Sequence, residues 1–242
     1  MISKNQLKKI RALGQKKQRK LLGQFLVQGE KNVLELLNSN LNLIELFATD
    51  DFINTHKGKL PAHKTHSASE AELTKVSTLS SNNSAIAIVD IPMSQISESK
   101  GVNIVLDGVS DPGNLGTIIR LADWYGIKHV ICSLDCADAF NPKTISSTMG
   151  SFTRVAVEYT DLPQVLSNTN KPIYGAYLGG ESVHDMTFST DCYLVMGSES
   201  HGIRETISDF ISHKVTIPAF GLAESLNVAM ATGIILDNMK RQ

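Results

Sequence analysis

Apolar positions follow two different rhythms along the chain, and the change comes near residue 100. In the first part, Phe25 to Val27 forms a β-like run that meets a turn glycine. Val33, Leu34, Leu36 and Leu37 follow at helical spacing, and Leu43 to Phe47 is a second β-like run. In "SASEAELTKV", Ser67 and Glu70 stand at capping-box spacing ahead of a helix, and "SAIAIVD" (84–90) predicts a further strand. Residues 1–90 therefore predict a small α/β unit. The stretch "IPMSQISESKG" (91–101), with its proline, serines and glycine, predicts a linker.

From residue 102 the pattern restarts as six short, continuously apolar runs: "VNIVLD", "HVICS", "RVAVEY", "PIYGAY", "CYLVMG" and "KVTIP". Stretches that can be helical separate them. Continuous rather than alternating apolarity marks strands covered on both faces, so 102–242 predicts an α/β domain built on a parallel, doubly wound sheet. Ligands of such sheets sit beyond the carboxyl ends of the strands. The polar, glycine-rich clusters stand there, after "VLD", "LVMG" and "TIP".

Composition is that of a globular protein, with 42% hydrophobic and 19% charged residues in a chain of 242, enough for one large or two small cores. The longest apolar runs fall short of the roughly 20 residues that cross a bilayer, and no apolar signal core follows the basic N-terminus. A soluble, cytoplasmic protein with no membrane partner is expected. Cys132, Cys136 and Cys192 form no C-x-x-C pair and predict buried, reduced thiols. His63 and His66 form an H-x-x-H without a third ligand, so no metal is expected.

Charge changes the picture more. The formal net charge is −1, yet residues 1–20 hold Lys4, Lys8, Lys9, Arg11, Lys16, Lys17, Arg19 and Lys20 and no acid. That run reads equally as a solvated helix face or as an arm that binds nucleic-acid phosphates and releases their counterions.

The three strand-end clusters carry the candidate chemistry. "DGVSDPGNLGTIIRLADWYGI" (107–127) packs Asp107, Asp111, Asn114 and Arg120 around glycines, between a strand and a helix. A glycine-rich turn into a helix N-terminus is an anion site, but neither G-x-G-x-x-G nor G-x-x-x-x-G-K-[ST] is present, which argues against a nicotinamide-dependent dehydrogenase. "LVMGSESHGI" (194–203) brings Gly197, Glu199 and Gly202. "IPAFGLAESLNVAMATGIIL" (217–236) runs through Pro218 and Gly221 into a helix whose N-terminal turn bears Ser225 and Asn227. Each has a purely structural reading: turn chemistry for Asp-Pro-Gly-Asn, an N-cap for Ser225, a helix-end bond for Glu199, a surface salt bridge for Arg120. All three at ligand-side ends of one sheet point to a site.

In order, N-x-x-x-x-x-R (Asn114, Arg120), G-x-E-x-x-G (Gly197, Glu199, Gly202) and S-L-N-V-A (Ser225 to Ala229) resemble the three motifs of the SpoU (TrmH-like) family of SPOUT RNA 2′-O-ribose methyltransferases, over about residues 102–240. "KKQRKLLGQFLVQGEKNVLELL" is similar to the RNA substrate-binding domain that precedes the catalytic domain in many members. The resemblance implies a deep trefoil knot, an exception to the rule that connections do not thread. It also implies an S-adenosyl-L-methionine pocket walled by the motif loops, and a homodimer packed through the knot region with structured RNA across both subunits.

By position, Gly197, Ile217 and Leu226 contact the cofactor through backbone groups around the adenine, with Leu178 in "AYLGG" a further candidate. The resemblance gives Arg120 the ribose 2′ hydroxyl. A guanidinium stays protonated and is a poor base, so its expected work is to orient the hydroxyl and stabilise the developing alkoxide. Asn114, Glu199, Ser225 and Asn227 are expected to hold Arg120 and the ribose in register. A sulfonium methyl is already activated, so the reaction asks for no metal. The basic run supplies the RNA contacts Lys8, Lys9, Arg11, Lys16, Lys17, Arg19 and Lys20. Ribosomal RNA is favoured over transfer RNA, because the ribosomal-RNA members typically carry this N-terminal domain. Two positions depart from the family pattern: Gln28-Gly29 stands where Glu-Gly is common, and Ser146 where many members have arginine. The alternatives are a non-catalytic RNA-binding protein retaining the fold, or the same reaction on transfer RNA.

Overall fold

The computed structural model describes residues 2–79, 82–93 and 100–241. Of the linker expected at 91–101, residues 94–99 lie outside the described residues. In chain order the elements are α1 (Lys4–Leu13), α2 (Lys16–Leu22), β1 (Gln24–Gln28), α3 (Glu30–Leu37), β2 (Leu43–Ala48), α4 (Asp50–His56), β3 (Thr65–Ser67), α5 (Glu70–Val76) and β4 (Ala85–Asp90). They continue with β5 (Val102–Asp107), α6 (Pro112–Trp124), β6 (His129–Ser133), α7 (Pro142–Thr148), β7 (Ala156–Thr160), α8 (Leu162–Ser167), β8 (Ile173–Ser182), β9 (Cys192–Gly197), α9 (Glu205–Ser208), β10 (His213–Thr216) and α10 (Val228–Lys240). These elements divide into two compact units.

The first unit takes the chain through Met93 together with Asp138–Thr153. Its sheet has the order β1-β4-β2-β3, antiparallel except for the parallel β2/β3 pair. Successive side chains of a strand face opposite ways. Phe25 and Val27 of β1 and Ala85, Ala87 and Val89 of β4 pack into one core with Val33 and Leu36 of α3. Leu26, Ile86 and Ile88, the residues between, pack into the other with Ile10 and Leu13 of α1 and Leu73 and Val76 of α5. The sheet is covered on both faces, which explains its continuous apolar runs.

The basic N-terminal run is folded. Ser3 caps α1 in a capping box, with Gln6 N–H donating to Ser3 Oγ at 3.3 Å and Ser3 N–H to Gln6 Oε1 at 3.0 Å. A second capping box starts α5, and it uses Ser69 and Glu72, not the expected Ser67 and Glu70. The reason is β3: Ser67 pairs with Ala48 of β2 and is spent in the sheet, so the helix starts two residues later.

Residues 138–153 were expected in the second domain, but they complete the core of the first unit. Phe140 packs on Phe25 at a tilt and Phe152 meets it edge-on, with ring centroids at 4.8 and 6.2 Å, and Ile145 joins the same apolar layer. Gly150, at φ +102°, lies where a Cβ would come within 2.3 Å of Cγ of Glu35, so the close approach needs glycine.

In the second unit all six expected strands form, in one wholly parallel sheet of order β10-β8-β9-β5-β6-β7. Val105, Ile131, Ile173 and Val195 face Leu162 and Leu166 of α8 and Ile207 of α9. Helices α6 and α10 pack against each other and bury Ile118, Ile119, Ile235 and Leu236. The cysteines are buried and free, and burial pushes the Cys192 thiol up to about 12. No helix among the described residues is long and apolar enough to cross a membrane.

Candidate active site

Strand order places the site. The chain leaves β5 toward β6 on one side, while β9 lies on the other, so the sheet reverses direction of build at β5/β9 and opens a crevice at their carboxyl ends. Asp107 and Gly197, the last residues of these strands, are register partners. The first two motif loops therefore begin side by side.

After β5, Asp-Pro-Gly-Asn starts a helix. Asp111 is the N-cap of α6, accepting from Asn114 N–H at 2.9 Å, and Pro112 takes the first helical position, where a missing N–H costs nothing. Asn114 is thus fixed in the first turn, and its Nδ2 donates to Glu199 Oε1 in the second loop. Its Oδ1 accepts from Asn227 Nδ2 at 3.0 Å. Asn227, rather than Ser225, is the N-cap of α10, its Oδ1 accepting from Ala229 and Met230 N–H at 3.0 and 3.3 Å. One residue from each motif joins a single hydrogen-bonded chain. Ser225 lies exposed, before the helix begins.

The second loop closes on itself. Ser198 and Gly202 exchange backbone hydrogen bonds at 2.9 and 3.1 Å, which brings Gly202 so near that a Cβ on Gly197 would lie 2.1 Å from its carbonyl carbon. Only glycine fits there.

Leu178, Gly197, Glu199, Ile217, Ser225 and Leu226 all line one cleft of about 610 Å³. Strand β8 shapes its far wall: its register against β10 jumps between Lys214 and Val215, so residues 176–180 bulge, and Gly180 fits tightly against the Lys214 carbonyl. The carbonyl of Leu178 accepts from Thr216 Oγ1 at 3.2 Å while its side chain is 82% exposed. The volume is within the roughly 300–1,000 Å³ of small-molecule sites, and mainly apolar walls with a few polar groups suit a nucleoside carrying an aliphatic arm.

Arg120, two turns along α6, is exposed and its side chain makes no hydrogen bond or ion pair among the described residues. The bonds of Asn114, Glu199 and Asn227 close on one another and not on Arg120, contrary to the expectation that they hold it.

The SpoU rRNA Methylase family profile matches residues 101–237, more than half of the chain. The chain belongs to the SpoU rRNA methylase family. A second profile, the MRM3-like substrate binding domain, matches residues 4–87. Among curated proteins, the 23S rRNA (guanosine(2553)-2′-O)-methyltransferase RlmP of Bacillus subtilis (strain 168) is 29% identical over 248 residues, covering 98% of this chain and 97% of that protein. A structure assigned to the TrmH family of RNA methyltransferases from Porphyromonas gingivalis superposes with a TM-score of 0.89 at 34% identity, covering 100% of this chain and 99% of the other. An AdoMet-bound rRNA methyltransferase from Sinorhizobium meliloti gives 0.88 at 27% identity, covering 100% and 97%.

Outside the SpoU motifs, one expected RNA contact is corrected. Arg19 is 2% exposed and four of the five N–H groups of its guanidinium are engaged: Nε and Nη2 donate to Asp138 Oδ2 at 3.1 and 2.5 Å, and Nη1 to the carbonyls of Leu13 and Gly14, both at 2.9 Å. Buried and paired inside the first unit, it is out of reach of a phosphate. Lys9 is half-buried beside Glu45 at 3.6 Å, while Lys8, Arg11, Lys16, Lys17 and Lys20 are exposed. Gln28, one of the two departures from the expected pattern, is buried with its amide bonded to one turn: Oε1 accepts from Ser77 Oγ and Thr78 N–H, and Nε2 donates to Thr78 Oγ1. This departure holds the 77–79 turn. Ser146 sits half-buried on α7; nothing in the structure explains it.

One group of residues escaped the sequence reading. Asp107, Ser133, Asp135 and Arg204 form an ion-pair network at the same strand ends. Asp107 was visible as an acid closing a buried strand, but nothing in the sequence marked Arg204 as its partner.

Proposed function

We propose that this protein transfers the methyl group of S-adenosyl-L-methionine to a ribose 2′ hydroxyl of RNA, with ribosomal RNA as its substrate class. The observation that carries this reading is the bonding of Asn114, Glu199 and Asn227, one from each motif loop, at the cleft lined by Leu178, Gly197, Ile217 and Leu226. A relative matched over nearly its whole length is named for 23S rRNA, and a neighbour of closely similar fold is AdoMet-bound. A pure RNA-binding module has no need of a preorganised polar triad beside such a cleft.

When bound, the cofactor supplies a methyl group already activated by its sulfonium charge. The chain's residues bind, orient and stabilise. Backbone groups of Gly197, Ile217, Leu226 and Leu178 hold the cofactor. Asn114, Glu199 and Asn227 fix the three loops with respect to one another, and Ser225 joins them toward the ribose. The exposed guanidinium of Arg120 has all its donors available for the 2′ oxygen. Such fixed donors stabilise a developing alkoxide without reorganisation, while the hydroxyl proton goes to an RNA phosphate or to water.

The same reading makes the first unit a substrate-binding domain with Lys8, Lys9, Arg11, Lys16, Lys17 and Lys20 toward RNA, and the second unit a catalytic domain with the family's knotted path. It places the protein in the cytoplasm as a homodimer. Support for the dimer comes from the third loop and the start of α10, where Phe220, Leu222 and Met230 are 95%, 101% and 63% exposed; apolar side chains gathered this way mark an interface. The test is incubation with labelled S-adenosyl-L-methionine and unmodified total RNA, with sedimentation for mass. Label at ribose 2′ positions of ribosomal RNA, lost in Arg120→Ala, is the expected result; unchanged transfer by that variant, or no cofactor binding by the natural chain, overturns the reading.

A further inference from the structure

Asp107 has no exposed side-chain surface, and a buried carboxylate is tolerable only when it is paired and hydrogen-bonded. Its partner is Arg204, the N-cap residue of α9, two residues beyond the last glycine of G-x-E-x-x-G. Arg204 donates to Asp107 twice, backbone N–H to Oδ2 at 2.8 Å and Nε to Oδ1 at 2.6 Å, and its Nη2 is in ion-pair contact with Oδ1. The outer edge of the same guanidinium reaches Asp135, with Nη1 and Nη2 at 3.2 and 3.3 Å from its two oxygens. Asp135 is held in turn by Ser133 Oγ at 2.6 Å, and that hydroxyl accepts from Gly108 N–H at 2.9 Å. The Ser133 hydroxyl and Arg204 keep the Asp135 carboxyl below its ordinary range.

These bonds define a clamp. The loop carrying Glu199 leaves the sheet at Gly197, the register partner of Asp107, and returns at Arg204, bound to the same Asp107. Both of its ends are thus fixed on one residue. Asp107 is also the root of the loop that leads to Asn114, and Asp135 belongs to the connection after β6. We infer that Arg204 is a positioning residue, whose double ion pair with Asp107 and Asp135 fixes the 197–204 loop so that Glu199 meets Asn114 in the geometry the reaction needs. Lysine cannot reproduce this, because a point charge on a flexible stem cannot engage two carboxylates in one plane.

This inference rests on the proposed methyl transfer for its kinetic arm but not for its structural one, and the experiment has both. Amide hydrogen exchange and single-turnover transfer are measured on the natural chain, on Arg204→Lys, and on the double variant Asp107→Asn/Arg204→Ala, which leaves no stranded buried charge. In both variants exchange in the 198–203 loop rises by about tenfold or more, led by the Ser198 and Gly202 amides, while amides of β5 and β9 stay protected. Transfer slows by about 10- to 100-fold, the effect of a misplacement near 1 Å, with the KM for RNA within about threefold. Loop exchange equal to the natural chain overturns the inference. So does a double variant that recovers turnover along with thermal stability, since that outcome makes the pair merely structural. An inactive natural chain refutes the methyl-transfer reading, and loop exchange still decides the clamp.

Discussion

At the scale of single residues, what a charge does depends on whether its hydrogen bonds are already made. Arg19 and Lys17 lie two positions apart in one basic run, yet Arg19 is buried with its guanidinium bonded to Asp138 and two carbonyls inside the first unit, and Lys17 is exposed. Removing one partner of a buried pair leaves the other uncompensated, at a cost of about 3 kcal/mol or more. Arg19→Ala is therefore expected to destabilise the protein by about that amount in urea unfolding, and Arg19→Ala/Asp138→Ala to recover much of it. Lys17→Ala should stay within about 0.5 kcal/mol of the natural chain, as surface substitutions usually do. Equal losses for Arg19→Ala and Lys17→Ala would show the Arg19 pair to be of no structural weight.

At the scale of elements, Asn227 has two roles that one substitution can separate. Its Oδ1 caps α10 and its Nδ2 ties Asn114. Asparagine and aspartate cap equally well, so Asn227→Asp keeps the helix and replaces the donor toward Asn114 by an anionic oxygen. The expected outcome is a melting curve like that of the natural chain with methyl transfer slowed by about tenfold, the order of one lost hydrogen bond; a matched loss of stability and rate would place the effect in the cap. The six parallel strands were legible because burial on both faces leaves a continuous apolar run, and the three polar clusters were legible because such strands end at ligand sites. The start of α5 was not, because Ser67 and Ser69 both offer a serine three residues before a glutamate, and only the pairing of Ser67 with β2 chooses between them. Nor was the place of 138–153, since Phe140, Ile145 and Phe152 form an apolar pattern that any core could take. The link from Arg204 to Asp107 spans 97 positions and leaves no local pattern.

At the scale of the whole molecule, charge governs both stability and RNA affinity. The carboxyls of Glu72, held by the backbone N–H groups of Ser69 and Ile2, of Asp135, held by Ser133 and Arg204, and of Asp191, held by Lys171, lie below their ordinary range in the folded state. The unfolded chain then binds more protons than the folded one as the solution acidifies. Their stabilisation is complete above the unfolded carboxyl values and is lost as pH falls through the folded ones. Thermal unfolding should hardly change from about pH 7 to 5 and should fall steadily below about pH 4; a midpoint that rises in acid would contradict these assignments.

RNA affinity tests the basic surface in a way that averages of charge cannot. The chain is formally −1, so any attraction for a polyanion must come from where the positive charges lie. Lys16, Lys17 and Lys20 are exposed on or beside one turn-rich segment, α2, whose left-handed Gly23 cap ends it before β1. If these side chains meet phosphates, each contact releases bound counterions and adds roughly 0.7–0.9 to the slope of log affinity against log salt. Lys16→Ala/Lys17→Ala should then lower that slope by about 1.5, weaken binding most at low salt, and do so uniformly across RNA sequences. Arg19→Lys is the control from the same helix: it alters a buried pair and should leave the slope where it was. An unchanged slope in the double lysine variant would mean that this run is a solvated helix face, the reading that its composition left open, and that the RNA contacts lie elsewhere on the chain.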